Sequence, residues 1–261
     1  MAAVCALALC VPLAAGASTP KRVLLRISFP EGFSSRQMVD RVAAVRRIAI
    51  AKRHITPRLT AAAYARALAT TKPPAAFRRY MNGSRIEGFL FPSLYAFGPS
   101  SSAASLIGLQ LAAFQREWRH VGPIDANANP YQVLIVASMV EREAAVANER
   151  PLIASVIYNR LAQRMPLGID ATLRYGLGIP GTKALTKSEL ADPTPYNTRL
   201  HAGLPPTPIG NPGLPSIEAA AHPASTDYLY YVRIPGTVTH YFTADYADFC
   251  AHVAEYGYAG C

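Results

Sequence analysis

The chain has 261 residues, about half of them apolar, enough for one large or two modest hydrophobic cores. Its 26 Lys and Arg outweigh 16 Asp and Glu, a net charge of +10 that suits an acidic polymer or an anionic surface. The basic residues form only short clusters such as Arg46-Arg47, Lys52-Arg53 and Arg78-Arg79, with neither an aromatic-rich RNA-binding signature nor zinc-finger spacing, so no nucleic-acid partner is expected.

Residues 1–17 (MAAVCALALCVPLAAGA) carry no charge and end in Ala15-Gly16-Ala17, a small-residue cleavage pattern. The stretch reads as a signal peptide or a short membrane anchor, although it lacks a preceding positive region and falls short of the ~20 apolar residues of a full span. The bland alternative is the first helix of a cytosolic core. Cys5 and Cys10 lie inside this segment, which leaves Cys250 and Cys261, either bridged in an oxidising compartment or free. With no Cys-x-x-Cys, no His-Glu-x-x-His and six scattered His, neither a metal site nor a cofactor is expected.

Residues 21–29 (KRVLLRISF) read as a strand stopped by Pro30-Glu31-Gly32. Ser34 and Gln37 have capping-box spacing for a helix through Met38, Val42 and Val45. A second, Ala-rich helix over 60–70 stops at Pro73-Pro74, and 87–97 (EGFLFPSLYAF) reads as aromatic core packing around a Pro bend. Helical patterning returns over 103–120 and ends at Gly122-Pro123. Asn129-Pro130 opens the next helix with Pro in its first turn, where a missing N–H costs least, and another helix covers 148–163. From 168 to 221 the chain is rich in loops, which in compact domains commonly carry function. Segments 228–234 and 239–243 alternate around Pro235-Gly236 as a β-hairpin.

Residues 137–144 (ASMVEREA) set two glutamates at the end of an otherwise apolar helix. On a wheel of ~100° per residue, Glu141 falls with Leu134, Ala137, Ser138, Ala144 and Ala145, while Glu143 falls nearly opposite, beside Val136 and Met139. The two cannot flank one bond, which excludes the paired acid and nucleophile of an ordinary glycosidase. Glu141, on a face of small side chains, is expected to have its charged form disfavoured and to serve as a general acid. For Glu143 the expectation is a salt bridge to an Arg, or solvent.

The runs VASMVEREA and IASVIYNRLAQRMPLGIDATLRYG, with EGFLFPSLY upstream and TPYNTRLHAGLPPTPI, AAAHPASTDYLYYV and THYF downstream, resemble the endolytic murein transglycosylases, the YceG-like family, over roughly residues 23–256. The resemblance implies a lytic transglycosylase that cleaves the β-1,4 bond between N-acetylmuramic acid and N-acetylglucosamine in nascent peptidoglycan and leaves a 1,6-anhydro end. It places the catalytic glutamate at Glu141, the residue the wheel singles out. It also implies an α+β fold: a small LysM-like N-terminal module followed by a mixed catalytic domain with long Pro-rich loops. Only VLLRISFPEGFSSRQMVDRV resembles the later part of that module, so it is incomplete here. The expected divisions are a signal-like or anchor segment (1–18), the partial module with a helical linker (19–83) and the catalytic domain (84–261).

Glu87, Ser138, Asn159, Asp170, Thr172, Tyr175, Tyr196 and Asn197 are the candidate substrate-binding residues, by sugar stacking or hydrogen bonds to hydroxyl and N-acetyl groups. The competing reading is scaffolding, with Asn and Asp closing turns on their own backbone. Two departures from the family, DAT at 170–172 for Asp-Pro-Thr and Arg199 where an aromatic often follows YNT, bear on the cleft. The implied partners are peptidoglycan strands, a peptidoglycan synthase, and the cell membrane through the N-terminal segment, with the domain on its outer side. Two alternatives stay open: a non-catalytic wall-binding scaffold, and a hydrolase of the same bond.

Overall fold

The computed structural model describes residues 23–258 and Cys261; the expected export or anchor segment lies outside the described residues. Strand β1 (Leu25–Phe29) alternates as its sequence predicts, with Leu25, Ile27 and Phe29 buried and Arg26 and Ser28 exposed. Helix α1 (Ser35–Arg53) begins with the expected capping box and ends at His54 in the left-handed conformation. It is followed by α2 (Ala61–Thr70), capped by the Thr60 hydroxyl, and the single turn α3 (Ala75–Arg78). Strand β2 (Ser93–Phe97) then returns antiparallel to β1, Leu25 opposite Phe97 and Phe29 opposite Ser93.

That pairing crosses the expected division at 83/84. The sheet begun by β1 is completed from beyond the boundary, and residues from both sides share one core. Phe77, before the boundary, packs edge-on against Phe89 at 5.0 Å and Trp118 at 4.8 Å after it. T-shaped aromatic pairs of this kind pack the two stretches into one core.

The remaining helices are α4 (Ala103–Trp118), α5 (Pro130–Glu143), α6 (Arg150–Ala162), α7 (Asp170–Leu177), α8 (Lys187–Leu190) and α9 (Leu214–Ala221). Strands β3 (Tyr230–Arg233) and β4 (His240–Thr243) form the expected hairpin, and α10 (Tyr246–Glu255) follows. The fold is thus mixed, helices with two small antiparallel sheets. The segment 168–221, read as loops, contains three of these helices. Among the described residues no helix is long and apolar enough to cross a membrane. Cys250 and Cys261 are bonded to each other, with their Cα atoms 5.6 Å apart.

At the centre is α5. Asn129 caps it through the N–H groups of Tyr131 and Gln132, with Gln132 reaching back to complete the box. From Val133 to Val140 every side chain is buried, because α9 and α6 cover it from different sides. Ala219, Ala220 and Ala221 carry only methyl groups, so α9 can lie close to α5. A helix apolar all round belongs in a core, and only its ends can carry charge without a large desolvation cost. The helix reaches the surface at its last turn, which is where Glu141 and Glu143 stand.

Candidate active site

Glu141 is partly exposed, and its Oε2 accepts the Gly213 N–H at 3.0 Å. Gly213 is the N-cap residue of α9 and contributes no side-chain cap, so the Glu141 carboxylate stands near the positive end of that helix. On its other flank is the turn at Pro30-Glu31-Gly32. Gly32 has φ +73°, and a Cβ there would lie 3.4 Å from Glu141 Cγ and 3.5 Å from Arg142 Cδ. The turn is tied to the 208–213 loop by backbone bonds, Gly32 N–H to the Asn211 carbonyl and Asn211 N–H to the Phe33 carbonyl, both 2.9 Å. Gly210 allows this approach, since a Cβ on it would meet the Gly32 carbonyl oxygen at 2.6 Å.

The same turn brings in a residue that the sequence did not single out. A Cβ on Gly213 would overlap the Glu31 carboxyl, so Glu31 and Glu141 meet at one glycine. Burial raises the Glu31 pKa, the nearby Glu141 charge adds to the rise, and Arg150 opposes both. In sequence Glu31 was only the middle of a turn; the one available signal was Gly32 after it, a residue suited to a left-handed turn position.

Glu87 proves to be a buried hub. At 5% exposure, it accepts the Ser35 N–H at 3.0 and 3.1 Å, the Tyr175 hydroxyl at 3.0 Å and the Asn211 side-chain amide at 2.9 Å. Ser35 is the first residue of α1, so this carboxyl sits at that helix's positive end. Burial nonetheless dominates and pushes the Glu87 carboxyl up to about 7, against the lowering effect of these hydrogen bonds. Asn211 also accepts the Leu90 N–H at 2.9 Å, so the 208–213 loop, α1 and residues 87–90 are fixed to one another.

Beside this hub opens a cavity of about 650 Å³ between the start of α1, residues 84–87 and α7 with its following loop. Glu87, Tyr175 and Tyr196 line it; the two tyrosine rings lie 5.1 Å apart, and Tyr196 bonds the Thr207 hydroxyl at 2.8 Å. Arg142 also lines it, whereas Glu141 does not; the two side chains flank Gly32.

The other candidates do not face this space. Ser138 is buried, donates to the Ile135 carbonyl and accepts the Ile209 N–H, so it anchors the loop and presents no open face of α5. The Asn159 amide is taken up by the carbonyls of Thr226 and Tyr228, both at 2.9 Å. Thr172 is fully buried against the Ile169 carbonyl and Thr198, and Asn197 is fully buried with its amide on the carbonyls of Leu190 and Asp192. For these four, scaffolding describes what the side chains do. Asp170 forms a half-exposed ion pair with Arg199 at 2.6 Å. Among the described residues Glu143 has no Arg partner: half-buried, its Oε2 accepts the Tyr231 hydroxyl at 3.1 Å, and burial raises its pKa. His240 is held by Glu149 at 2.7 Å and His222 by Asp125 and the Val121 carbonyl, both structural roles. Among the described residues no three His, Cys, Asp or Glu converge as metal ligands would.

Comparison with known proteins fits this arrangement. An endolytic murein transglycosylase of Bacillus subtilis (strain 168) is 37% identical over 155 residues, covering 56% of this chain and 41% of that protein. One from Streptococcus pneumoniae (strain D39) is 33% identical over 188 residues, covering 66% and 32%. The chain therefore spans well under half the length of these curated relatives. The 2.6 Å crystal structure of a yceG-like protein from Listeria monocytogenes superposes with a TM-score of 0.71 at 28% identity, over 87% of this chain and 75% of that one. The model of the YceG-like family matches residues 8–255, and the chain belongs to that family.

Proposed function

We propose that the protein is an endolytic lytic transglycosylase that cleaves the bond between N-acetylmuramic acid and N-acetylglucosamine in nascent glycan strands, and so ends their elongation. The observation that carries this reading is Glu141 at the exposed end of a buried helix, oriented by the Gly213 N–H. With Oε2 occupied, Oε1 is left to give a proton to the glycosidic oxygen. As the bond from the muramyl C1 to that oxygen breaks, the muramyl 6-hydroxyl attacks C1 and its proton returns to the Glu141 carboxylate. The product is a 1,6-anhydro ring, and no water is consumed. A positioned acid of this kind contributes typically 10²–10⁴-fold.

Glu31 favours a second reading. A carboxylate that meets Glu141 at Gly213 could take a proton from water, which would make the enzyme a hydrolase. Mass spectrometry of products from uncrosslinked strands decides: anhydro-muramyl ends support the lyase, reducing ends the hydrolase, and intact strands refute both.

The LysM-like reading of residues 19–83 belongs with this proposal, supported by β1 followed by α1 and α2, although the strand that pairs with β1 comes from beyond residue 83. So does a site of action outside the cell membrane, beside a peptidoglycan synthase. The Cys250–Cys261 bond suits an oxidising compartment, and residues 1–17 suit export or anchoring. A reporter fused after Thr19 that is active only in the cytoplasm would refute this placement.

A further inference from the structure

The cavity beside Glu141 has a charge pattern that glycan binding does not explain. Four guanidinium groups stand in its wall: Arg36 from α1, Arg85 before the Glu87 turn, Arg142 from the end of α5 and Arg174 from α7. Arg174 is committed to the carbonyls of Pro180 and Lys183. Among the described residues, Arg36, Arg85 and Arg142 have no carboxylate within ion-pair distance. Arg36 packs against Gly178, and Arg142 reaches to 3.6 Å from where a Gly181 Cβ would be, so both guanidiniums approach the 178–181 loop. The only acids in the wall are exposed Asp40 and buried Glu87. A neutral sugar has no use for this excess of positive charge, whereas carboxylates match the guanidinium fork.

We infer that this cavity is a subsite for the acidic stem peptide carried by the muramyl residue, with Arg36, Arg85 and Arg142 receiving its carboxylates. The inference rests on the glycan-cleavage reading and deepens it. The stem peptide hangs from the sugar whose C1 bond is cut, so its subsite must adjoin the acid. Arg142 supplies that adjacency, because it follows Glu141 in sequence, flanks Gly32 with it and lines the cavity. At about 650 Å³ the space accommodates several peptide residues and is in the range of small-ligand sites. The enzyme then selects peptide-bearing strands over strands stripped of their peptides.

The test compares uncrosslinked strands carrying stem peptides with the same strands stripped by an amidase, as substrates of the full chain, with cleavage followed by mass spectrometry. We expect a KM about tenfold lower for the peptide-bearing strands, the scale of one or two charge-assisted hydrogen bonds. Arg36→Ala and Arg85→Ala should each remove most of that preference through KM with kcat held, and Arg36→Lys should restore part of it by keeping the charge. Equal KM values for the two substrates would overturn the peptide subsite and leave the glycosidic reading standing. A preference that survives Arg36→Ala with Arg85→Ala, in a protein of unchanged circular dichroism, would overturn it too. No cleavage of either substrate would overturn the glycan reading, and this one with it.

Discussion

Replacing Glu87 by Gln tests whether a buried carboxyl at the centre of the site costs the fold stability at neutral pH. Folding raises its pKa from 4.5 to about 7, so the folded state binds a proton more tightly than the unfolded chain. A raised group contributes stability that is fully present below 4.5 and is lost as pH rises through 7. At 1.36 kcal/mol per pKa unit, the change across that window is about 3 kcal/mol. The Gln side chain keeps the shape, its oxygen can accept Ser35 N–H and Asn211, and its amide can donate to the Tyr175 hydroxyl, whose proton is free to rotate away. The variant should therefore fold and lose the pH dependence. Urea unfolding of both proteins at pH 4.5 and pH 8 is the assay. Glu31 and Glu143 are raised as well and give the wild type additional slope of the same sign, so the informative quantity is the difference between the two proteins' pH responses. A Glu87→Gln protein as pH-dependent as the wild type would refute the reasoning.

Four further outcomes are expected. Glu141→Gln should lower strand cleavage by about 10²–10⁴-fold, while Glu143→Gln, whose carbonyl can still accept the Tyr231 hydroxyl, should cost less than about fivefold; equal losses in two folded variants would refute the assignment. Gly210→Ala should destabilise by about 1–3 kcal/mol and depress activity, because its methyl meets the Gly32 carbonyl oxygen at 2.6 Å; thermal unfolding and strand cleavage measure both. A chain beginning at Ser84 should fail to fold cooperatively, since it lacks β1 and the buried Met38 and Val42; a sharp thermal transition would show that β2 needs no partner. Cys250→Ser should lower stability by at most about 3 kcal/mol, as expected for a bridge spanning 11 residues, read by urea unfolding against the oxidised wild type.

The elements that were legible in the sequence carry their own boundary chemistry. The capping box of α1, the Asn129-Pro130 opening of α5 and the Pro-Gly turn between β3 and β4 are local signals, and the structure honours each one. Helices α7 and α9 were hidden because they are only eight residues long and sit among Pro and Gly. Neither has a side-chain cap, so the strongest N-terminal sign is missing; the clues that did exist were Gly178 ending α7 in the left-handed conformation and Pro215 in the first turn of α9. The pairing of β1 with β2 could not be read at all, because two helices and a turn separate them and 93–97 reads as aromatic packing around a Pro bend, not as a strand.

The site divides in the same way. A wheel shows which residues share a face, but it does not show whether that face is open. Ser138 shares a face with Glu141 and is fully covered, because α5 is buried all round from Val133 to Val140 and opens again only in its last turn. Glu141 stood out because charge at the end of an apolar run must lie where a core meets water. Glu31 has no such context: it occupies an ordinary turn, and its relation to Glu141 exists only because Gly32, Gly210 and Gly213 let two backbones and two carboxyls approach. The proposed acid was thus legible from its own helix, whereas Glu31 beside it, on which the proposed choice between lyase and hydrolase rests, depends on long-range packing that no local pattern encodes.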